Sequence, residues 1–385
     1  MKLKPFDLVA AGHEGTLIDD SNMLFFKPSL PKEINFYSHI QSMNQQGLNL
    51  LIKTKNEFNE DIEPLNNWIP KYLGYMEEGI IAKDEKQQKT LTMEAKKIEL
   101  PHLDDGIKVS TEKSVSKPYA VLENLLNCYK SPNIMDIKLG SVLYDLDASD
   151  DKKERLSELS STTTSGSLGL RICGMKIKKF ESVNYSQLLP FYHESTIDNL
   201  KNIKYISVGK QLGRSQSTLD QVKETLYLFA SNHSLGDQWT YAILSNFLKR
   251  LELLMDTLKN TPVKLISSSI LLVMETDEER VKKNSFEDVL IDDDYNLSSY
   301  IENYIDTEGE NSLEEEGEGE GEEKIDIETL VQQMSLSKLK LIDFGHAEII
   351  KTYKHSKFQA DKNTLQGLNS LQKALELLIS ELYEQ

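Results

Sequence analysis

The sequence predicts an α+β protein. Short runs with strand-like alternation (residues 16–19, 23–27, 119–125, 134–139, 168–178 and 264–275) stand beside windows of helical period (33–43, 219–229, 239–258 and 363–383). A chain of 385 residues, 39% of them hydrophobic, can bury a large core and form one large or two smaller domains. A third observation concerns charge: the net −18 is localised. Residues 275–328 carry 22 Asp and Glu against 4 Lys and Arg, so the remainder, with 40 of each sign, is neutral. The acidity therefore belongs to an appendage and leaves the body free to meet a polyanion. No apolar run nears the length of a membrane span, and Met1-Lys2-Leu3-Lys4 carries no signal-peptide pattern. The two cysteines, Cys128 and Cys173, have no metal-ligand spacing, which argues against a disulfide framework and a structural zinc. A reducing compartment, nucleus and cytoplasm, is the expected location.

Taken in order, residues 16–19 and 23–27 flank Asp20-Ser21-Asn22 and read as a hairpin, with Lys27 on its second strand. Glu33 opens a helical window over 33–43. Residues 84–117 are polar, lysine-rich and aperiodic, an excursion between strands. Residues 119–125 form a strand. Residues 150–159 read as a short helix that puts Lys152 and Arg155 on one side, with Lys153 between them. Ser/Thr-rich residues 160–167 read as a flexible loop, and 168–178 as a strand. Ser217-Thr218-Leu219-Asp220 starts a helix bearing Val222, Leu226 and Phe229, with a capping-box-like pattern. The windows at 239–258 and 363–383 are core helices, and 264–275 is a strand. Within about 276–336 lies the acidic insertion, with Glu and Gly alternating near 314–323. Like charges repel and glycine adds chain entropy, so disorder is expected, with a short docking helix at 292–305.

The chemistry concentrates at Pro132-Asn133-Ile134-Met135-Asp136-Ile137-Lys138-Leu139-Gly140. In an extended segment residues two apart share a face, so Asp136 and Lys138 project together from between apolar neighbours. Alone, such a pair is as readily a surface ion pair on an edge strand. A second stretch, Ile342-Asp343-Phe344-Gly345-His346, and a third, Ser268-Ser269-Ile270-Leu271, change that reading. In this order they resemble the signature of the inositol polyphosphate kinase family: P-x-x-x-D-x-K-x-G, then S-S-L-L, then I-D-F-x-H. Asn133 stands where the family often has Cys, and Gly345 where it often has Ala. Neither change removes a charged or metal-binding group.

The resemblance implies a two-lobed, protein-kinase-like fold with an antiparallel sheet in each lobe and flanking helices. It divides the chain into an ATP-binding lobe at 1–122, a hinge at 123–125, and a second lobe at 126–385. The second lobe would include an inositol phosphate-binding segment at 141–165. Lys27 is similar to the strand lysine that grips nucleotide phosphates, and Glu33 to the helix glutamate that pairs with it. Residues 66–75, with Trp68, Pro70 and Tyr72, resemble a packed structural turn of the family. Adenine is expected against the backbone of Glu123, Asn124 and Leu125; the family often has Asp at the position of Asn124. Asp343 is expected to bind Mg²⁺, Lys138 to reach the transferred phosphoryl group, and Asp136 to serve the ATP ribose or the acceptor hydroxyl. Lys138, Lys152, Lys153, Arg155, Lys210 and His346 are the implied substrate contacts, whereas Arg171, in a G-x-R-x-x-G-M element, reads as structural.

The implied activity is ATP- and Mg²⁺-dependent phosphorylation of inositol trisphosphate to tetrakis- and pentakisphosphate. The short segment after Gly140 resembles the multikinase branch. An inositol hexakisphosphate kinase is the alternative within the class. A nuclear scaffold whose acidic tract binds basic proteins is the alternative outside it. No H-R-D or G-x-G-x-x-G pattern points to a protein kinase. A monomer with inositol phosphates as its ligands is expected, without direct nucleic acid binding.

Overall fold

A computed structural model describes residues 2–11, 15–77, 118–196, 203–290, 335–350 and 358–384. The polar excursion at 84–117, the Glu/Gly run at 314–323 and the docking helix at 292–305 lie outside the described residues.

The first sheet is built from β1 (Leu3–Pro5), β2 (Leu17–Asp19), β3 (Leu24–Pro28), β4 (Tyr72–Met76) and β5 (Tyr119–Glu123). Its order is β1-β2-β3-β5-β4, and every pairing is antiparallel. The β2–β3 hairpin forms as expected. Asn22 takes the left-handed conformation (φ 63°) and Asp19 caps the turn by accepting from the Leu24 amide at 2.8 Å. Residues 72–76, read from sequence as part of a turn, are instead the edge strand β4, because their partner β5 lies more than forty residues away. Helix α1 (Pro31–Gln45) has Pro in its first turn and Glu33 near its start, which suits a helix N-terminus.

Eight further strands follow: β6 (Pro132–Leu139), β7 (Leu170–Lys178), β8 (Tyr192–Thr196), β9 (Lys204–Val208), β10 (Val263–Leu265), β11 (Ser269–Glu275), β12 (Ser337–Ile342) and β13 (Ala347–Ile349). Six of them make the second sheet in the order β12-β11-β6-β7-β9-β8, and β10 pairs with β13. The helices are α2 (Asp150–Ser161), α3 (Thr164–Leu168), α4 (Lys210–Ser215), α5 (Leu219–Ala230), α6 (Gly236–Asn260), α7 (Glu278–Lys283) and α8 (Lys362–Tyr383). The Thr218 capping box at the start of α5 is complete. Helices α5, α6 and α8 bury Phe229, Trp239, Phe247 and Leu371 in one core with Ile137 and Leu139 of β6.

Two expectations are corrected. The Ser/Thr-rich stretch 160–167 is the end of α2 and the start of α3, with Thr164 and Ser165 fully buried. Flanking hydroxyls bond back to carbonyls (Ser160 Oγ to Ser141 O at 2.6 Å, Thr163 Oγ1 to Leu159 O at 2.7 Å), while those of Thr164 and Ser165 are buried without a partner among the described residues. The insertion is also narrower than 276–336. Thr276 is fully buried, Arg280 of α7 pairs with buried Glu275 at 2.9 Å, and Asp288 accepts from the Leu336 and Ser337 amides at 2.6 and 3.1 Å. Residues 276–290 and 335–336 are therefore part of the folded body.

Candidate active site

The register of the second sheet brings the three motifs together. Strand β11, carrying Ser269-Ile270-Leu271, lies between β6 and β12, so Ser269 stands opposite Lys138 on one side and Ile342 on the other. Leu271 likewise stands opposite Asp136. Asp343 follows β12 directly, in the left-handed region (φ 65°), which turns the chain away from the sheet at that residue.

The Asp343 carboxylate sits between two lysines. Lys27 Nζ reaches Oδ1 at 2.7 Å and Lys138 Nζ reaches Oδ2 at 3.2 Å. Lys27 is held from its other side by Glu33 at 2.5 Å, and Glu33 also accepts from the Phe344 amide at 3.1 Å. Phe344 is fully buried, stacked on Phe36 at 4.7 Å and edge-on to Tyr37 at 5.0 Å. One carboxylate of α1 thus ties the strand lysine of the first sheet to the turn that carries Asp343. Burial works against the charge on Lys27, yet the carboxylates of Asp343 and Glu33 hold it above the usual lysine range. Lys138 is raised in the same way, with Asp343 and Asp136 outweighing burial. Burial pushes the Asp136 carboxyl up to about 6, opposed by Lys138 and reinforced by Asp343.

Lys27, Asp136, Lys138 and Asp343 line a cavity of about 310 Å³. One end is apolar, with Val9, Phe25, Leu122 and Ile134; the other carries Lys138, Arg171, Lys210 and Arg214. Segment 6–11 crosses from one sheet to the other over the apolar end. Phe6 packs edge-on to Phe25 at 5.4 Å, Lys176 of β7 donates to Asp7 O, and the Ala10 carbonyl lies against Gly174. At residues 123–125 the amides of Glu123 and Asn124 donate to Lys71 O (3.0 Å) and Met23 O (2.8 Å), and Asn124 Nδ2 donates to Asn22 O. The amides of Glu123 and Asn124 are thus committed to the protein, which leaves their carbonyls and the Leu125 backbone as the groups that could meet an adenine. Leu125 lines the cavity and its amide has no such bond among the described residues.

The expected substrate contacts divide. Lys138 and Lys210 line the cavity, with Lys210 on the first turn of α4. Lys152, Lys153 and Arg155 lie on α2, outside that cavity: Lys152 is half-buried, Lys153 is 3.9 Å from Asp150, and Arg155 is exposed. His346 also lies outside it, with Nδ1 2.6 Å from Asp145 Oδ2. Arg171, read from sequence as structural, lines the cavity beside Lys138, its direct cross-strand neighbour. It is buried, and its Nε and Nη1 find no hydrogen-bond partner among the described residues. An unpaired buried guanidinium is costly unless an anion meets it. Arg214, one turn beyond Lys210, was missed as well; its spacing on a basic helix was the available signal. A carboxylate pair, Asp136 and Asp343, faces this basic end, and Asp136 Oδ1 is buried without a hydrogen bond. That pair suits a hard divalent cation completed by phosphate oxygens, since Mg²⁺ commonly takes only one or two protein carboxylates.

Comparison with known proteins agrees with this arrangement. The sequence profile of the family described as inositol polyphosphate kinase matches residues 119–376. The chain is 38% identical over 364 residues to the inositol polyphosphate multikinase of Saccharomyces cerevisiae, covering 94% of each protein. It is 30% identical to that of Schizosaccharomyces pombe over 71% of this chain and 80% of the relative. A crystal structure of the S. cerevisiae inositol phosphate multikinase with ADP and Mn²⁺ superposes with a TM-score of 0.61 at 31% identity, covering 93% of this chain and 99% of that one. The family profile spans all three motifs that the sheet register joins, and the chain belongs to the inositol polyphosphate kinase family.

Proposed function

We propose that this kinase is a multikinase that transfers the γ-phosphoryl group of ATP, with Mg²⁺, to ring hydroxyls of inositol trisphosphate and then of the tetrakisphosphate. The observation that carries the reading is the Lys27–Asp343–Lys138 bridge in a cavity that is apolar at one end and basic at the other. The apolar end suits a purine, whose edge the Leu125 amide can meet. Lys27 neutralises the nucleotide phosphates once they displace Asp343 from it, and Glu33 keeps that ammonium in place. Asp343, with Asp136 beside it, would hold Mg²⁺. When bound, the ion draws charge from the phosphate oxygens. Lys138 stabilises charge developing on the transferred group. Arg171, Lys210 and Arg214 receive phosphates of the inositol ring, arginine through a bidentate fork and lysine as a compact charge. Lys152 on α2 extends that surface; Lys153 and Arg155 are outer contributors to the same field. The ADP and Mn²⁺ in the structure of the S. cerevisiae relative support a nucleotide and a divalent ion here.

The test is product analysis by ion-exchange chromatography with purified protein, ATP, Mg²⁺ and inositol trisphosphate. Tetrakis- and pentakisphosphate are expected in succession. Their absence, with phosphorylation of inositol hexakisphosphate instead, would assign the chain to the other branch.

A further inference from the structure

Asp145 lies outside the cavity but is bonded directly to His346 of the third motif. It follows β6 by six residues and precedes α2, and only 12% of its side chain is exposed. Its Oδ2 lies 2.6 Å from His346 Nδ1, a short, charge-assisted contact. The neighbouring loop is itself anchored, because the Ser157 hydroxyl of α2 donates to Tyr144 Oη at 3.3 Å. Lys32 on α1 and Lys152 on α2 add their fields to Asp145, and Lys32 is paired with Glu348 of β13 at 2.8 Å. Burial raises the Asp145 carboxyl, but the bond to His346 and these lysines outweigh it and hold the group below the usual carboxylate range. An ionised carboxylate only accepts, so the hydrogen between the two groups belongs to Nδ1.

We propose that Asp145 is a positioning residue that holds His346 by Nδ1, so that the imidazole meets substrate through Nε2 as acceptor of a hydrogen bond from an inositol hydroxyl. This rests on the reading of His346 as a substrate contact. The physical logic is that of other histidines with a carboxylate on the second nitrogen: the partner selects the tautomer and locks the ring plane. The His346 side chain is 28% exposed, which leaves it open to a ligand while its other nitrogen is held. Without Asp145 the neutral ring could place its hydrogen on either nitrogen, and Nε2 would repel a hydroxyl hydrogen as often as accept it.

Two measurements on the full chain test this. In protein labelled with nitrogen-15 at histidine, at pH 8 and without ligand, the His346 signals are identified by their loss in His346→Ala. A protonated Nδ1 and a bare Nε2 are expected; a protonated Nε2 overturns the proposal whatever the enzyme's substrate. The second is a double-mutant cycle read as kcat/KM for inositol trisphosphate. Asp145→Asn, which keeps the shape, should lower it on the order of tenfold to a hundredfold while KM for ATP stays within about twofold. Adding it to His346→Ala should lower it no further, because Asp145 acts through the ring. Additive losses, or an equal rise in KM for ATP, would show that Asp145 supports the loop and not the imidazole.

Discussion

At the scale of single residues, the site is a set of charges that restrain one another until substrate arrives. Asp343 neutralises two lysines that otherwise face one another across the cleft, and each lysine is kept charged by it. Asp343→Asn and Lys138→Ala should each reduce turnover by roughly 10²–10⁵, since each removes a group that stabilises transferred charge. Circular dichroism should show both variants folded, and near-normal turnover in either would remove that residue from the chemistry. Arg171→Lys should raise KM for inositol phosphate more than KM for ATP, because an ammonium does not replace a fork. Saturation curves for the two substrates decide it; an effect confined to ATP counts against the assignment. Asp136 has a different consequence. Its carboxyl is held at about 6, against an ordinary value of 3.8. Below pH 4 the folded and unfolded chains are both protonated there. Between about 4 and 6 the unfolded chain releases its proton and the folded one keeps it, so stability falls as pH rises through that window. Asp136→Asn does not titrate, and should stabilise the ligand-free protein at pH 7.5 by up to about 3 kcal/mol while reducing activity. Chemical denaturation at pH 4 and 7.5 tests this, and a gain that is the same at both pH values would refute it.

At the scale of elements, the segment 6–11 and strand β7 depend on a glycine. A Cβ added to Gly174 would overlap the Ala10 carbonyl and come within 2.8 Å of Val208 O, both of them backbone atoms. Only glycine lets the segment lie flat on β7 while Phe6 and Val9 close the apolar end of the cavity. Gly174→Ala should therefore lift the segment, cost about 1–3 kcal/mol of stability, and raise KM for ATP more than KM for inositol phosphate. A folded variant with unchanged KM for ATP would show that the segment does not cover the nucleotide. The adjacent bulge in β7, between the partners of Asp136 and Ile137, leaves the half-buried Cys173 unpaired beside the charges of Asp136 and Lys138. Burial and the Asp136 charge push the Cys173 thiol up to about 11, so it stays protonated and chemically quiet.

At the scale of the whole molecule, the acidic segment is attached at a closed joint. Arg250 of α6 donates from Nε to Leu290 O at 2.6 Å and meets Asp288 at 3.4 Å, and Asp288 in turn accepts from the Leu336 amide. Residues 290 and 335 therefore lie side by side. Replacing 291–334 by a short Gly/Ser linker should preserve fold and turnover, since loop-closure entropy changes by only about 0.6 kcal/mol per doubling of length. That range holds 16 acidic and 1 basic residues, so its removal should modestly speed capture of an anionic substrate at low salt. Replacing 276–336 should instead abolish folding. It would strip buried Glu275 and Arg250 of their partners Arg280 and Asp288, each an uncompensated charge costing about 3–5 kcal/mol. Thermal melts of the two deletion proteins separate these outcomes. A stable 276–336 deletion would refute the joint, and a large loss of turnover in the 291–334 deletion would show that the segment helps build the site.

The sequence by itself determined the family, the α+β class, the paired chemistry of Asp136 and Lys138, and the helices at 33–43, 219–229, 239–258 and 363–383. These are carried by residue type and short-range period, which each segment holds without reference to any other. Only the tertiary structure decided that β11 would lie between Lys138 and Ile342, that Arg171 would be buried facing a cavity with its Nε and Nη1 unbonded among the described residues, that His346 would meet Asp145, and that residues 276–290 would belong to the folded body. Each of these turns on sheet register or burial between segments that are not neighbours in the chain. A serine-rich or acidic stretch reads as solvated until its partners are known, because composition records which groups need satisfying and only the fold supplies what satisfies them.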